Sequence, residues 1–238
     1  MAPFLVIERC QDKISMADRY TGELWSIQSF VSGFENNAYL LTCKRTNTSV
    51  IIDTPDNPVE LLQAARNTRV EAVLITHNHW DHMEGFEDVL TATNAPVGIG
   101  VDDGGALPVK PRTSIDVSDG TVLRIGDITL RCISTPGHTP GSTCFMLPSE
   151  RPAATPHVFT GDTLFPGGPG KSGSPAAFRQ LVTSIENQLL TLPAETVVLP
   201  GHGKQTTIRE SKLEYEVFTS NQRRDDLFGD VTWTGDNS

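Results

Sequence analysis

Apolar and polar residues alternate along this chain with two periods, and the period changes where turn residues stand. Leu24–Val31 (LWSIQSFV), Asn37–Cys43 (NAYLLTC) and Ser49–Asp53 (SVIID) predict three strands, the last stopped by Pro55 and Pro58. Val59–Asn67 carries Leu61, Leu62 and Ala65 at helical spacing. Glu71–Thr76 (EAVLIT) is a nearly continuous apolar run, which predicts a strand covered on both faces. A helix is predicted over Met83–Thr93, with Phe86, Val89 and Leu90 on one side.

The second half repeats the rhythm. Thr121–Ile125 and Ile128–Ile133 flank Gly126-Asp127, a hairpin signal. Cys144–Leu147, His157–Thr160 and Thr196–Leu199 predict strands. Ala176–Leu192 predicts a long helix with an apolar stripe through Phe178, Leu181, Val182, Ile185, Leu189 and Leu190, and Ile208–Ser220 a last helix. Phe165–Ser174 (FPGGPGKSGS) predicts a loop, and the polar stretch Gly229–Ser238 a fraying tail. Two β-rich, helix-covered halves without a linker predict an α/β fold of four layers, an αββα sandwich with two sheets face to face. Residues 1–228 form one domain in this reading, followed by the tail 229–238.

Composition narrows the picture. At 238 residues the chain buries enough surface, on the order of 70–75%, to need no disulfide staples. Cys10, Cys43, Cys132 and Cys144 show no CxxC spacing and read as buried free thiols. A net charge of −10 disfavours a nucleic-acid surface or docking on anionic lipid. Phe4–Ile7 is too short for a secretory apolar core, and no run approaches the ~20 residues of a spanning helix, so a soluble cytoplasmic protein is expected. Nothing in the sequence sets an oligomeric state.

Histidine placement carries the chemistry. Three of the six histidines lie in Thr76-His77-Asn78-His79-Trp80-Asp81-His82, and two more in the frames Pro136-Gly137-His138 and Pro200-Gly201-His202. An extended strand end sends residues i and i+2 to one side, so His77 and His79 suit one ion. Asp81 and His82 then point across to a second position, and His138, His202 and a bridging Asp162 can complete the ligands of the two ions. Nitrogen- and oxygen-rich sites of this kind suit zinc, with iron or manganese chemically possible. A lone loop histidine is ordinarily a surface group or a satisfied hydrogen-bonder, but a packed HxHxDH run has no evident structural use.

In order, Asp53 in IIDT, the HxHxDH run, PGH138, GD162 and PGH202 resemble the five motifs of the metallo-β-lactamase-fold hydrolases, over residues 24 to 210. The resemblance implies His77, His79 and His138 on one metal, and Asp81, His82 and His202 on the other. Asp162 would bridge, and Asp53 would orient ligands without touching metal, although a strand-end Asp also caps a turn. THNHWDH, PGHTPGS, GDTLF and PGHG…TTI are similar to the glyoxalase II (hydroxyacylglutathione hydrolase) branch. In that branch a lysine placed like Lys171 binds a glycine carboxylate of glutathione; Lys171 reads equally as a solvated loop residue. Only 36 residues follow His202, and no tyrosine stands for the branch's glutathione contact, a role open to Arg223 and Arg224. The expected activity is hydrolysis of a small-molecule acyl thioester or ester by a hydroxide shared between two ions, with Asp81 and Asp162 in the catalytic centre. A lactonase or β-lactam hydrolase, a mononuclear-iron persulfide dioxygenase using His77, His138 and Asp162, and a non-catalytic binding module are the competing readings.

Overall fold

The computed structural model describes residues 16–152, 154–220 and 225–235. One sheet holds seven strands whose spatial order is their chain order: β1 (Met16–Thr21), β2 (Trp25–Ser32), β3 (Asn36–Cys43), β4 (Thr48–Ile52), β5 (Arg69–Leu74), β6 (Val97–Gly98) and β7 (Ser114–Ile115). Pairing is antiparallel from β1 to β4 and parallel from β4 to β7. The second sheet comprises β8 (Val122–Ile125), β9 (Ile128–Ser134), β10 (Thr143–Leu147), β11 (His157–Gly161), β14 (Val197–Pro200) and β15 (Thr206–Thr207), in the order β15-β14-β11-β10-β9-β8. A small ladder joins β12 (Leu164–Phe165) to β13 (Gly168–Pro169).

Strand alternation sorts the side chains into three apolar layers. Between the sheets, Ile27, Tyr39, Leu41, Ile52 and Leu74 meet Leu130, Phe145, Phe159 and Leu199. On the outer face of the first sheet, Leu40, Ile51 and Val73 pack against α1 (Val59–Ala65) and α2 (Phe86–Thr93). On the second, Ile133, Met146 and Val198 pack against α3 (Pro175–Ser184) and α4 (Ile208–Ser220). This is the four-layer αββα sandwich the patterning predicts. Because β3 and β4 are covered on both faces, their sequences read as apolar runs without alternation.

Four expectations are corrected. The helix predicted over 176–192 ends as α3 at Ser184 and continues as a π-turn, Ile185–Leu189, which keeps both named residues on the buried stripe. The segment 165–174 is not all loop, since β12 and β13 pair within it. Val231 and Trp233, in the stretch expected to fray, are 4% and 1% exposed; Trp233 stacks on Phe218, and its backbone N–H donates to Gly167 O. Two apolar residues in a polar stretch have no periodicity to announce them. Short strands β6, β7 and β15, and the longer β1, add to the strands that the patterning predicts. Cys43, Cys132 and Cys144 are buried free thiols, while Cys10 lies outside the described residues. Among the described residues no helix is long and apolar enough to cross a membrane.

His157, the one histidine without a motif, opens β11 edge-on to the rings of Tyr20 and Trp25. Burial pushes its imidazole down to about 4. The unfolded chain therefore takes up this proton near pH 6.5, and the folded chain only near 4. The contribution of His157 to stability should be complete above pH 6.5 and fall by up to about 3 kcal/mol as pH drops to 4. Denaturant midpoints across this range should flatten in His157→Leu; an unchanged slope would contradict the assignment.

Candidate metal centre

Every motif residue lies just beyond a strand end on one edge of the sandwich. Asp53 follows β4, His77 follows β5 by way of Ile75 and Thr76, Asp162 follows β11, and His202 follows β14. Parallel pairing of β4 with β5, and of β11 with β14, puts these ends level. The two sheets are tied together at this edge. Thr143 N donates to Thr76 O, Asn37 N to Gly201 O, and Tyr39 Oη to Pro200 O. His138 sits in the turn between β9 and β10. Gly161 has a φ of +48°, and a Cβ there would collide with Thr76 Oγ1, which is why Asp162 is preceded by glycine.

The sequence-predicted donors converge in two groups. His77 Nε2 and His138 Nε2 stand 3.1 and 2.9 Å from His79 Nδ1. His82 Nε2 stands 3.1 Å from His202 Nε2, which is 3.3 Å from Asp81 Oδ2. The 3₁₀ turn Trp80–His82 swings Asp81 and His82 away from His77 and His79. Asp162 lies between the groups: Oδ2 is 3.6 Å from His138 Nε2 and 3.5 Å from His202 Nε2, and Oδ1 is 3.4 Å from His82 Nε2.

Hydrogen bonds on the far side of each ring set which nitrogen faces inward. His138 Nδ1 donates to Lys171 O at 2.7 Å, and His202 Nδ1 to Phe34 O at 3.1 Å. His82 Nδ1 donates to Asp53 Oδ2 at 3.1 Å. Thr76 Oγ1 donates to the same carboxylate oxygen, so it accepts from His77 Nδ1 at 3.0 Å. Asp53 thus braces one ring from each group. It is 1% exposed and takes a left-handed φ of +57°. Four imidazoles are left with an Nε2 lone pair directed at the centre.

The donor set fits cations. A single His79 Nδ1 cannot donate to two neighbours, and lone pairs crowded at about 3 Å repel unless a positive charge lies among them. Ligands 2.0–2.1 Å from a tetrahedral ion stand roughly 3.3 Å apart, which matches these separations. Asp162 Oδ1 is buried without a hydrogen bond, a polar atom that calls for such a partner. Burial, then the neighbouring His82, holds His77 well below the ordinary imidazole value. Burial opposes charge on His82 too, but the Asp162 carboxylate 3.4 Å from its Nε2 and the bonded Asp53 raise it to about 10, so a cation taking that lone pair must displace a proton. Burial alone would raise the Asp162 carboxyl; the neighbouring His82 holds it far below the carboxylate range.

Three contributors escaped the sequence reading. Asn36 Nδ2 donates to Asp81 Oδ2 at 2.9 Å, Thr76 relays Asp53 to His77, and Asp103 bonds beside the metal-facing loops. The Asn36-Asn37 pair opening an apolar strand was the one visible signal. Lys171 Nζ lies 3.9 Å from Asp230 Oδ2, both exposed, at the rim. Arg223 and Arg224 lie outside the described residues.

A profile of the metallo-beta-lactamase superfamily matches residues 31–202, the stretch that holds all seven donors. The chain belongs to the metallo-beta-lactamase superfamily. Among curated members, it is 30% identical over 190 residues to a probable hydroxyacylglutathione hydrolase of Schizosaccharomyces pombe, covering 78% of this chain and 70% of that one. This chain spans 63–70% of the length of the relatives that carry hydroxyacylglutathione hydrolase names. Among solved structures, TTHA1623 in a di-iron-bound form is 30% identical with a TM-score of 0.62, over 76% of this chain and 93% of that one. ETHE1 from Myxococcus xanthus is 28% identical with a TM-score of 0.65, over 77% and 80%.

Proposed function

We propose that this metallo-beta-lactamase superfamily member is a dinuclear metallohydrolase that cleaves a small-molecule acyl thioester. His77, His79 and His138 would hold one ion, Asp81, His82 and His202 the other, with Asp162 between them. The observation that carries the reading is the complete second donor group sharing Asp162 with the first. Relatives named for thioester hydrolysis and a neighbour with two irons support it. Zinc is the proposed metal, since histidine nitrogens dominate the donor set, and iron or manganese fits the same ligands.

When bound, two divalent ions lower the pKa of water toward neutrality and polarise an acyl carbonyl. The chain supplies the geometry. Asp162 orients the nucleophile, Asn36 fixes Asp81, and Asp53 locks the tautomers of His77 and His82. A thioester suits this site because its thiolate leaves without a proton donor. The test is turnover of a panel of thioesters, lactones and persulfides by metal-quantified protein. Thioester cleavage with two ions supports the proposal; oxygen consumption with one iron per chain replaces it with the dioxygenase reading.

Lys171 is proposed to attract a substrate carboxylate. Its backbone carbonyl, which holds His138, survives substitution, so Lys171→Ala isolates the ammonium. For an anionic thioester KM should rise about 10-fold while kcat stays within about twofold. An unchanged KM makes Lys171 a solvated loop residue.

A further inference from the structure

Asp103 is 1% exposed, between β6 and β7, and neither its sequence context nor the metal motifs single it out. Its carboxylate gathers three donors. Oδ2 accepts from Asn78 N at 3.1 Å and from Thr139 Oγ1 at 2.6 Å; Oδ1 accepts from Gly141 N at 2.9 Å. Asn78 stands between His77 and His79, and Thr139 follows His138. Thr139 is itself fixed, since its N–H donates to Ser142 Oγ and its hydroxyl accepts from that group at 2.6 Å. The contact is close enough that a Cβ on Gly141 would lie 2.7 Å from Asp103 Cγ.

The second group has other supports: Asn36 for Asp81, Asp53 for His82, and the Phe34 carbonyl for His202. In the first group, His77 and His138 have their remote ring nitrogens tied, but among the described residues no bond is made by the remote nitrogen of His79. The place of His79 then depends on the backbone at Asn78. Charge-assisted bonds from one buried carboxylate to both loops are stiff enough to fix it.

We propose that Asp103 is a positioning residue for one half of the centre: it sets the separation of the His79 and His138 loops, and so governs the first metal position and not the second. This rests on the two-ion reading above. The effect is directional, because the amide introduced by Asp103→Asn would turn an NH2 toward Asn78 N or Gly141 N and leave a buried donor unpaired.

The experiment is a cobalt(II) titration of the metal-stripped full chain, followed by absorbance and by counting equivalents, with circular dichroism as the check on folding. Asp103→Asn should weaken one of two equivalents by about 10–100-fold and leave the other within about threefold of wild type. Asp103→Ala should do the same more severely; if it does not fold, the asparagine variant decides. Two equivalents of wild-type affinity in folded Asp103→Asn, or equal weakening of both, would overturn the proposal. A wild-type protein that binds fewer than two equivalents would instead overturn the two-ion reading, so the failures are distinct.

Discussion

Asp162→Ala is expected to abolish turnover, lowering kcat/KM by at least about 10³-fold, and to lower the metal content of a protein that remains folded. The expectation follows from position. Its two oxygens approach His82, His138 and His202 within 3.4–3.6 Å, so its carboxylate faces both donor groups. Removing it leaves each histidine group with less negative charge to balance a cation and leaves the nucleophile unoriented. The sandwich does not depend on this side chain, because Asp162 belongs to none of its three apolar layers. Metal analysis and circular dichroism separate loss of the centre from loss of the fold. Activity above a tenth of wild type with full metal content would contradict the bridging role.

The second large effect is expected at Asp53. Asp53→Asn keeps a side chain that tolerates the left-handed backbone at φ +57°, but its amide cannot accept at both oxygens. At least one of the bonds from Thr76 N, Thr76 Oγ1 and His82 Nδ1 is lost, and two are lost where the NH2 replaces Oδ2. Because Asp53 braces a ring in each group, both metal equivalents should weaken by about 10–100-fold, unlike the one-sided effect expected at Asp103. Asp53→Ala adds backbone strain and leaves His82 buried without this partner, and should destabilise the metal-free protein by about 3–5 kcal/mol. Equilibrium denaturation and metal titration read the two effects. Wild-type affinity in Asp53→Asn would reduce the residue to a turn cap.

Much of this was legible in the sequence, for physical reasons. Apolar stripes at helical spacing located α1 and α2, and apolar runs located β3 to β5, because burial on both faces of β3 and β4 leaves an unbroken signal. The seven donors were legible because they stand near strand ends in short frames, HxHxDH, PGH and GD, and the structure brings all seven together. Asn36, Thr76 and Asp103 were not legible. Each acts through a hydrogen bond to a residue remote in sequence or to a backbone N–H, and such bonds leave no periodicity. Trp233 escaped for the opposite reason: it is one aromatic side chain in a polar stretch, buried by Tyr215 and Phe218. The π-turn at Ile185–Leu189 preserves the helical stripe, so its widening was invisible.

Metal stoichiometry tests the central claim most directly. Elemental analysis of the purified protein, paired with thioester turnover by the same sample, should find two ions per chain and activity that disappears on chelation and returns with the second equivalent. Full thioester activity in a sample stripped below one ion per chain would contradict it.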